Sequence, residues 1–211
     1  MKPSVYVIGR EHEYEQMFLR NGWSLVNSPE DADLIQFTGG ADVDPMLYEE
    51  PRHPRTYSDP DRDSKEANIY NKYSGEIPMA GICRGGQFLC VMNGGRMWQD
   101  VNNHTVGAGH YLIDVDTCVP VQVSSTHHQM MDPTTAGSYR ILATSGLCTR
   151  RSDGWGNDII SKPGEEADIE AVYFPETDCI CFQPHPEFFD ENHECQQLFF
   201  RYLDEYLGLK A

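Results

Sequence analysis

The chain has 211 residues, enough for one α/β domain with a full core. Its 33 Asp and Glu against 16 Lys and Arg leave a formal charge of −17; such a surface repels phosphate backbones and anionic lipid, so neither nucleic acid nor a membrane is expected as a partner. Seven cysteines in an odd set, no run near the ~18 apolar residues of a membrane helix and a start too short for a signal peptide point to reduced thiols in a cytoplasmic protein.

Val5–Ile8 is a short apolar run closed by Gly9 and reads as a buried first strand. Tyr14, Met17 and Phe18 recur at helical spacing within residues 11–20, and Asn21-Gly22 stops that helix. Leu25-Val26 and Leu34-Ile35-Gln36-Phe37 follow as strands, the second running into Thr38-Gly39-Gly40. Residues 41–60 hold four prolines and little periodicity, which makes them a long loop expected to lie over a site. Residues 63–73 read as a helix, 79–82 as a strand and 87–92 as another helix. Between residues 96 and 146 the pattern turns β-rich, with 111–115, 119–123 and 139–143 strand-like. Two more strands, 171–174 and 179–182, are joined by the turn Pro175-Glu176-Thr177-Asp178, and residues 191–207 form a closing helix with Leu198, Phe199, Tyr202, Leu203 and Tyr206 on one stripe. Strands alternating with helices, then hairpins, predict one α/β domain over residues 1–211: a mainly parallel central sheet flanked by helices, with a small antiparallel extension. Sites in such sheets form beyond the carboxyl ends of strands, and Gly40, Cys83 and His185 all follow strands.

The most informative stretch is Met79-Ala80-Gly81-Ile82-Cys83-Arg84-Gly85-Gly86-Gln87. An apolar lead, a Gly-x-Cys-x-Gly turn and a helix form the cysteine version of the nucleophile elbow, a turn so sharp that only glycine fits on either side. A thiol there stands over a helix amino terminus, whose dipole and free N–H groups favour the reactive thiolate. Cys83 is accordingly expected to be the one strongly alkylated cysteine. A buried structural cysteine between chance glycines is the alternative, and the motif alone does not exclude it. The second cluster, Gln183-Pro184-His185-Pro186-Glu187, does more. A catalytic thiol needs an imidazole to take and return a proton, and the imidazole needs a third group to fix its tautomer; His185 and Glu187, held by Pro186, supply base and orienter from one strand end. After its strand, the side-chain-free backbone of Gly40 can bring an N–H to a developing oxyanion, with the Arg84 N–H as the second donor.

Together, Gly81-Ile82-Cys83-Arg84-Gly85-Gly86-Gln87 and His185-Pro186-Glu187 resemble the class I glutamine amidotransferase family, and within it the γ-glutamyl hydrolase branch, peptidase family C26, which includes γ-glutamyl-GABA hydrolase. Further segments resemble that branch in the right order: residues 38–48 its glycine loop, Arg62-Asp63 with Glu66 its helix start, residues 94–101 the segment after the elbow helix, and Ser124-Ser125-Thr126-His127-His128-Gln129 its Asn-Ser-x-His-His-Gln loop. Ser124 stands where the branch usually has Asn, and Gly86 where a larger residue is common. The resemblance implies a flavodoxin-like fold and cleavage of a γ-glutamyl amide through a Cys83 thioester. It gives Gly40 and Arg84 the oxyanion hole, puts Gln87 against the bound glutamyl group, and sets Ser125 and His128 at the α-amino and α-carboxylate ends of a small-molecule γ-glutamyl substrate.

Other features weigh less. His127-His128 with Cys179 and Cys181 could suggest a metal, but the spacing matches no zinc set, so no metal is expected. Gly107-x-Gly109 completes no dinucleotide fingerprint and no Gly-Lys-[Ser/Thr] occurs, so no cofactor is expected; an ATP-dependent synthetase or ligase half would come from a separate polypeptide. Two variants thus share the chemistry: a free-standing γ-glutamyl hydrolase, or a glutaminase subunit passing ammonia to a separate synthetase. A non-catalytic scaffold protein is disfavoured by the intact Cys, His and Glu, and a thiol redox protein by the His-x-Glu partner it would not need.

Overall fold

The computed structural model describes residues 2–211. In chain order its strands and helices are β1 (Ser4–Val7), α1 (His12–Arg20), β2 (Ser24–Leu25), β3 (Leu34–Phe37), α2 (Pro60–Tyr73), β4 (Met79–Ile82), α3 (Arg84–Met92), β5 (Arg96–Trp98), β6 (Asp100–Val101), β7 (His110–Asp114), β8 (Pro120–Val123), β9 (Met130–Asp132), β10 (Arg140–Ser145), β11 (Arg150–Ser152), β12 (Asp158–Ile160), β13 (Asp168–Phe174), β14 (Cys179–Phe182) and α4 (Glu194–Leu207). A nine-stranded sheet runs β2-β1-β3-β4-β14-β13-β10-β7-β8. The first five strands are parallel neighbours, and β14 to β8 pair antiparallel. The parallel core is thus as expected, while the antiparallel part is larger than the small extension predicted. Two further sheets, β12-β11-β6 and β5-β9, extend that half.

The central strands are buried along their whole length, β3, β4 and β14 among them, because both faces are covered. Their side chains alternate between two cores. Leu34, Ala80, Ile82, Ile180 and Phe182 face α1 and α4 with Phe18, Phe199 and Tyr202. Ile35, Phe37, Met79, Cys179 and Cys181 face α2 and α3 with Tyr70, Tyr73, Phe88 and Leu89.

Three helix starts differ from expectation by three residues, and the elbow helix α3 begins at Arg84 rather than residue 87, directly after Cys83. Helix α2 starts at Pro60 rather than residue 63, because Asp59 caps it by accepting from the Arg62 N–H at 3.1 Å and Pro60 occupies the first turn. Helix α4 starts at Glu194 rather than residue 191, where the His193 ring accepts from the Cys195 N–H, and it ends at Gly208 in the left-handed region. Strands β11 and β12 carried no apolar alternation to announce them: Ile159 and Ile160 are both exposed on β12.

Candidate active site

The turn between β4 and α3 has the geometry the glycines demand. Cys83 holds φ 52°, ψ −113°, a backbone conformation rare for a residue with a side chain. A Cβ at Gly81 would stand 2.3 Å from the Gly85 carbonyl, and one at Gly85 would stand 2.4 Å from the Phe37 oxygen. Gly86 is explained in the same way: its Cβ would meet the Phe182 nitrogen at 2.9 Å, so α3 packs closely against β14. The Cys83 N–H donates to Phe182 O at 2.8 Å, which ties the elbow to the strand that leads toward His185.

His185 follows β14 and has the Cys83 thiol as its neighbour on one side. On the other, its Nδ1 lies 2.5 Å from Glu187 Oε1. Burial alone would lower the ring pKa, but the interactions with Cys83 and Glu187 outweigh it and raise the value to about 10. Phe188 stacks on the ring at 4.5 Å with planes 4° apart, and the His185 N–H donates to Ser124 Oγ at 2.7 Å. Ser124 therefore holds the backbone of the histidine.

The glycine loop after β3 is positioned by buried polar side chains. Gly39 N–H donates to the Tyr14 hydroxyl at 2.9 Å, and that hydroxyl sits beside Glu187, so α1 links this loop to the group that orients His185. Arg62 donates to Gly39 O at 2.8 Å, to Thr38 O at 2.9 Å and to Glu66 at 2.7 Å. Gly40 has φ 137°, and a Cβ there would fall 2.3 Å from Arg62 Nη1. The Arg84 side chain points away from Cys83, fully buried, and pairs with Asp63 and Glu66 of α2. Only its N–H, in the first turn of α3 with no intrahelical acceptor, is available at the elbow.

A cavity of about 280 Å3 opens at Cys83, walled by Gly40, Asp42, Tyr57, Gln87, Thr126 and His128 among others. Asp42 and Tyr57 come from the long loop 41–60, which therefore does border the site. Gln87 is buried and donates to Gln183 Oε1 at 3.1 Å. His128 is half-buried with Nε2 3.3 Å from Asp42 Oδ1, and that bond raises its pKa. Ser125 is elsewhere: it lines a neighbouring cavity with Val106 and Phe188, and its oxygens accept from the Val106 N–H. Cys179 and Cys181 pack in the core beside α2 and α3, away from His127-His128. Burial raises the thiol pKa of Cys179 to about 11 and pushes Cys90, Cys181 and Cys195 up as well. Cys83 is itself largely buried but opens onto the cavity, whereas Cys118 lies exposed on the surface.

Tyr14 was missed because its spacing reads as apolar helix face, and only its partner on the glycine loop reveals the role of the hydroxyl. Asp42 sits in a segment already singled out, but its pairing with His128 joins residues 86 positions apart and has no local signal.

A sequence profile of the family described as peptidase C26 matches residues 27–147, a stretch that includes Gly40, Cys83 and His128. The glutamine amidotransferase-like protein YvdE of Lactococcus lactis subsp. lactis is 33% identical over 161 residues, 74% of this chain and 66% of that protein. A YvdE homologue of Lactococcus lactis subsp. cremoris is 39% identical over 98 residues, 46% of this chain and 50% of its own length. The chain thus spans one half to just under two thirds of these relatives. Among solved structures, a GMP synthase component from Thermoplasma acidophilum superposes with a TM-score of 0.66 at 15% identity, covering 99% of this chain and 94% of that one, a likeness of fold.

Proposed function

The chain belongs to the peptidase C26 family, and from that premise we propose that it is a cysteine hydrolase that cleaves a γ-glutamyl amide through a γ-glutamyl thioester. The observation that carries the reading is His185, bonded to Glu187 through Nδ1 and neighboured by the thiol of Cys83, which stands at the strained elbow. In this mechanism the Cys83 sulfur attacks the amide carbonyl carbon. The N–H groups of Gly40 and Arg84 receive the oxyanion. His185 gives its proton to the departing nitrogen, then takes one from the water that attacks the thioester, releasing glutamate and restoring the thiol. Glu187 keeps the imidazole in one tautomer throughout.

The substrate's glutamyl end is assigned to the 280 Å3 cavity. His128 meets the α-carboxylate, Asp42 the α-ammonium and Gln87 the chain between. The substrate contact read for Ser125 is not carried into this proposal, because Ser125 lines the neighbouring cavity. The leaving amine faces Tyr57, which is mostly exposed at the cavity rim, and this open side suits a group larger than ammonia.

Values of kcat/KM measured without ATP on glutamine and on a panel of γ-glutamyl amines and peptides test the reading. The hydrolase predicts faster turnover of some γ-glutamyl amine or peptide than of glutamine. Activity on glutamine alone, or only once a synthetase is added, would replace it with the glutaminase-subunit reading, which shares the same residues. Cys83→Ala and His185→Ala should each lower kcat/KM by roughly 10³-fold or more, with the double variant no worse, since such groups act as a unit. Glu187→Ala should be milder. Retention of most activity in Cys83→Ala would rule out both readings.

A further inference from the structure

We propose that His104, His110, His127 and Glu170 form a buried site for one divalent transition-metal ion of the zinc class, beneath the loop that carries His128. Four segments meet there: the loop after β6 brings His104, the start of β7 His110, the loop after β8 His127, and β13 Glu170. All four side chains are at least nine-tenths buried. Glu170 Oε1 lies 2.9 Å from His110 Nε2 and 3.5 Å from His104 Nδ1, and Glu170 Oε2 lies 3.9 Å from His127 Nε2. Ligand atoms of His104, His110 and Glu170 all fall within 4.8 Å of one another. A tetrahedral zinc ion with bonds of about 2.0–2.1 Å holds its ligand atoms about 3.3 Å apart, so these spacings close around an ion with small side-chain shifts.

For two of the three rings the tautomers point the same way, whereas His110 bonds Glu170 through Nε2 and has no acceptor at Nδ1. His104 Nε2 is 3.1 Å from Asp168 Oδ2 and His127 Nδ1 is 2.8 Å from Gln129 O, so each ring gives its N–H outward to an oxygen. This is how ligating histidines are oriented by an outer carboxylate or carbonyl. With both rings neutral, as metal ligation requires, the inward nitrogens, His104 Nδ1 and His127 Nε2, present lone pairs toward the Glu170 carboxylate. Both of them, and Glu170 Oε2, lack any hydrogen-bond partner. Acceptors facing acceptors in a buried space call for a cation between them. The nearby guanidinium of Arg151 is already engaged with Asp168 at 2.7 Å, and besides the imidazoles Glu170 has the Ser145 hydroxyl, which donates to its Oε1 at 2.8 Å and brings no charge. Three imidazoles and a carboxylate, with no thiolate, suit zinc, cobalt or nickel better than calcium or magnesium. Four protein ligands would close the shell, giving a structural ion that pins the 124–129 loop against β7 and β13.

The test uses the full chain, stripped with EDTA and titrated with ZnCl2 or CoCl2 alone. One ion per chain by elemental mass spectrometry, a higher Tm on adding zinc, and cobalt d–d absorption typical of tetrahedral coordination without thiolate charge transfer are expected. Glu170→Gln and His110→Ala should each weaken binding by more than about 100-fold, and the outer-shell variant Asp168→Asn by about 10–100-fold. Less than stoichiometric metal, a cobalt spectrum with thiolate charge transfer, or unchanged affinity in Glu170→Gln and His110→Ala would overturn the site. The cobalt spectrum of the unaltered chain decides the matter even where a variant folds poorly.

Discussion

Cys83 is held in a backbone conformation rare for any residue with a side chain, and the two glycines around it are there because any Cβ would enter the backbone of the next turn or of Phe37. What separates Cys83 from the other thiols is its partner. Cys90, Cys179, Cys181 and Cys195 are buried with their thiol pKa values raised, whereas Cys83 touches the ring of His185. Iodoacetamide labelling with peptide mapping should therefore mark Cys83 and the exposed Cys118 and spare the rest. In a Cys118→Ser background the remaining fast label should sit on Cys83 and slow by about 10-fold or more in His185→Asn, since thiolate character governs the rate. Equal labelling of Cys90 or Cys181 would contradict the assignment of Cys83 as nucleophile.

Helices α2 and α3 are joined by charge as well as by apolar packing. Arg84 places a buried guanidinium between Asp63 and Glu66, while Asp63 also accepts from the Asp44 N–H at 2.8 Å and Glu66 from Arg62. Arg84→Leu would leave Asp63 buried without a cation and Glu66 with Arg62 alone, at a cost of about 3–5 kcal/mol read by chemical denaturation. Loss of activity should accompany it, because Arg62 and Asp63 hold the loop on which Gly40 stands. Helix α4 is pinned differently: Tyr202 and Arg201 donate to Asp114 of β7 at 2.7 and 2.8 Å, and Thr117 adds a third bond. Burial alone would raise the Asp114 pKa, but these bonds outweigh it and the net shift is downward. A carboxyl depressed in the folded state contributes stability above its unfolded pKa of about 3.9 and loses it as pH falls through the folded value. Asp114→Asn should thus cost about 1–3 kcal/mol between pH 5 and 8, and the gap to the unaltered protein should shrink below about pH 4.

Across the whole molecule the dominant long-range term is the charge of −17. Like charges on a compact body repel one another, and the repulsion is relieved when the chain expands. Screening sets in as the Debye length falls from about 30 Å at 0.01 M salt to about 10 Å at 0.1 M. The Tm should therefore rise over that range of NaCl, and the buried pairs of Arg84 and Arg151, shielded from solvent, should not reverse the trend. A Tm that falls with salt would mean that surface ion pairs such as Arg140–Asp116 outweigh the net repulsion.

The sequence by itself determined the elements with a local period or a local steric demand. Strands β3, β4 and β14 were legible as apolar runs, and the elbow through glycines whose absent side chains are a requirement written within five residues. The His185–Glu187 contact was legible too, since two residues separated by one proline can reach each other without help from the fold. The strand order, the size of the antiparallel half and the short strands β11 and β12 were not, because pairing between segments far apart leaves no period in either one. The Tyr14 hydroxyl under Gly39, Asp42 against His128, Ser125 in a neighbouring cavity and the imidazole cluster around Glu170 were decided only in three dimensions. In each, a polar group finds its partner, or is left facing another acceptor, through the packing of elements dozens of residues apart. The physical reason is that burial, which gives such contacts their energy, belongs to the assembled core and to no single segment of the chain.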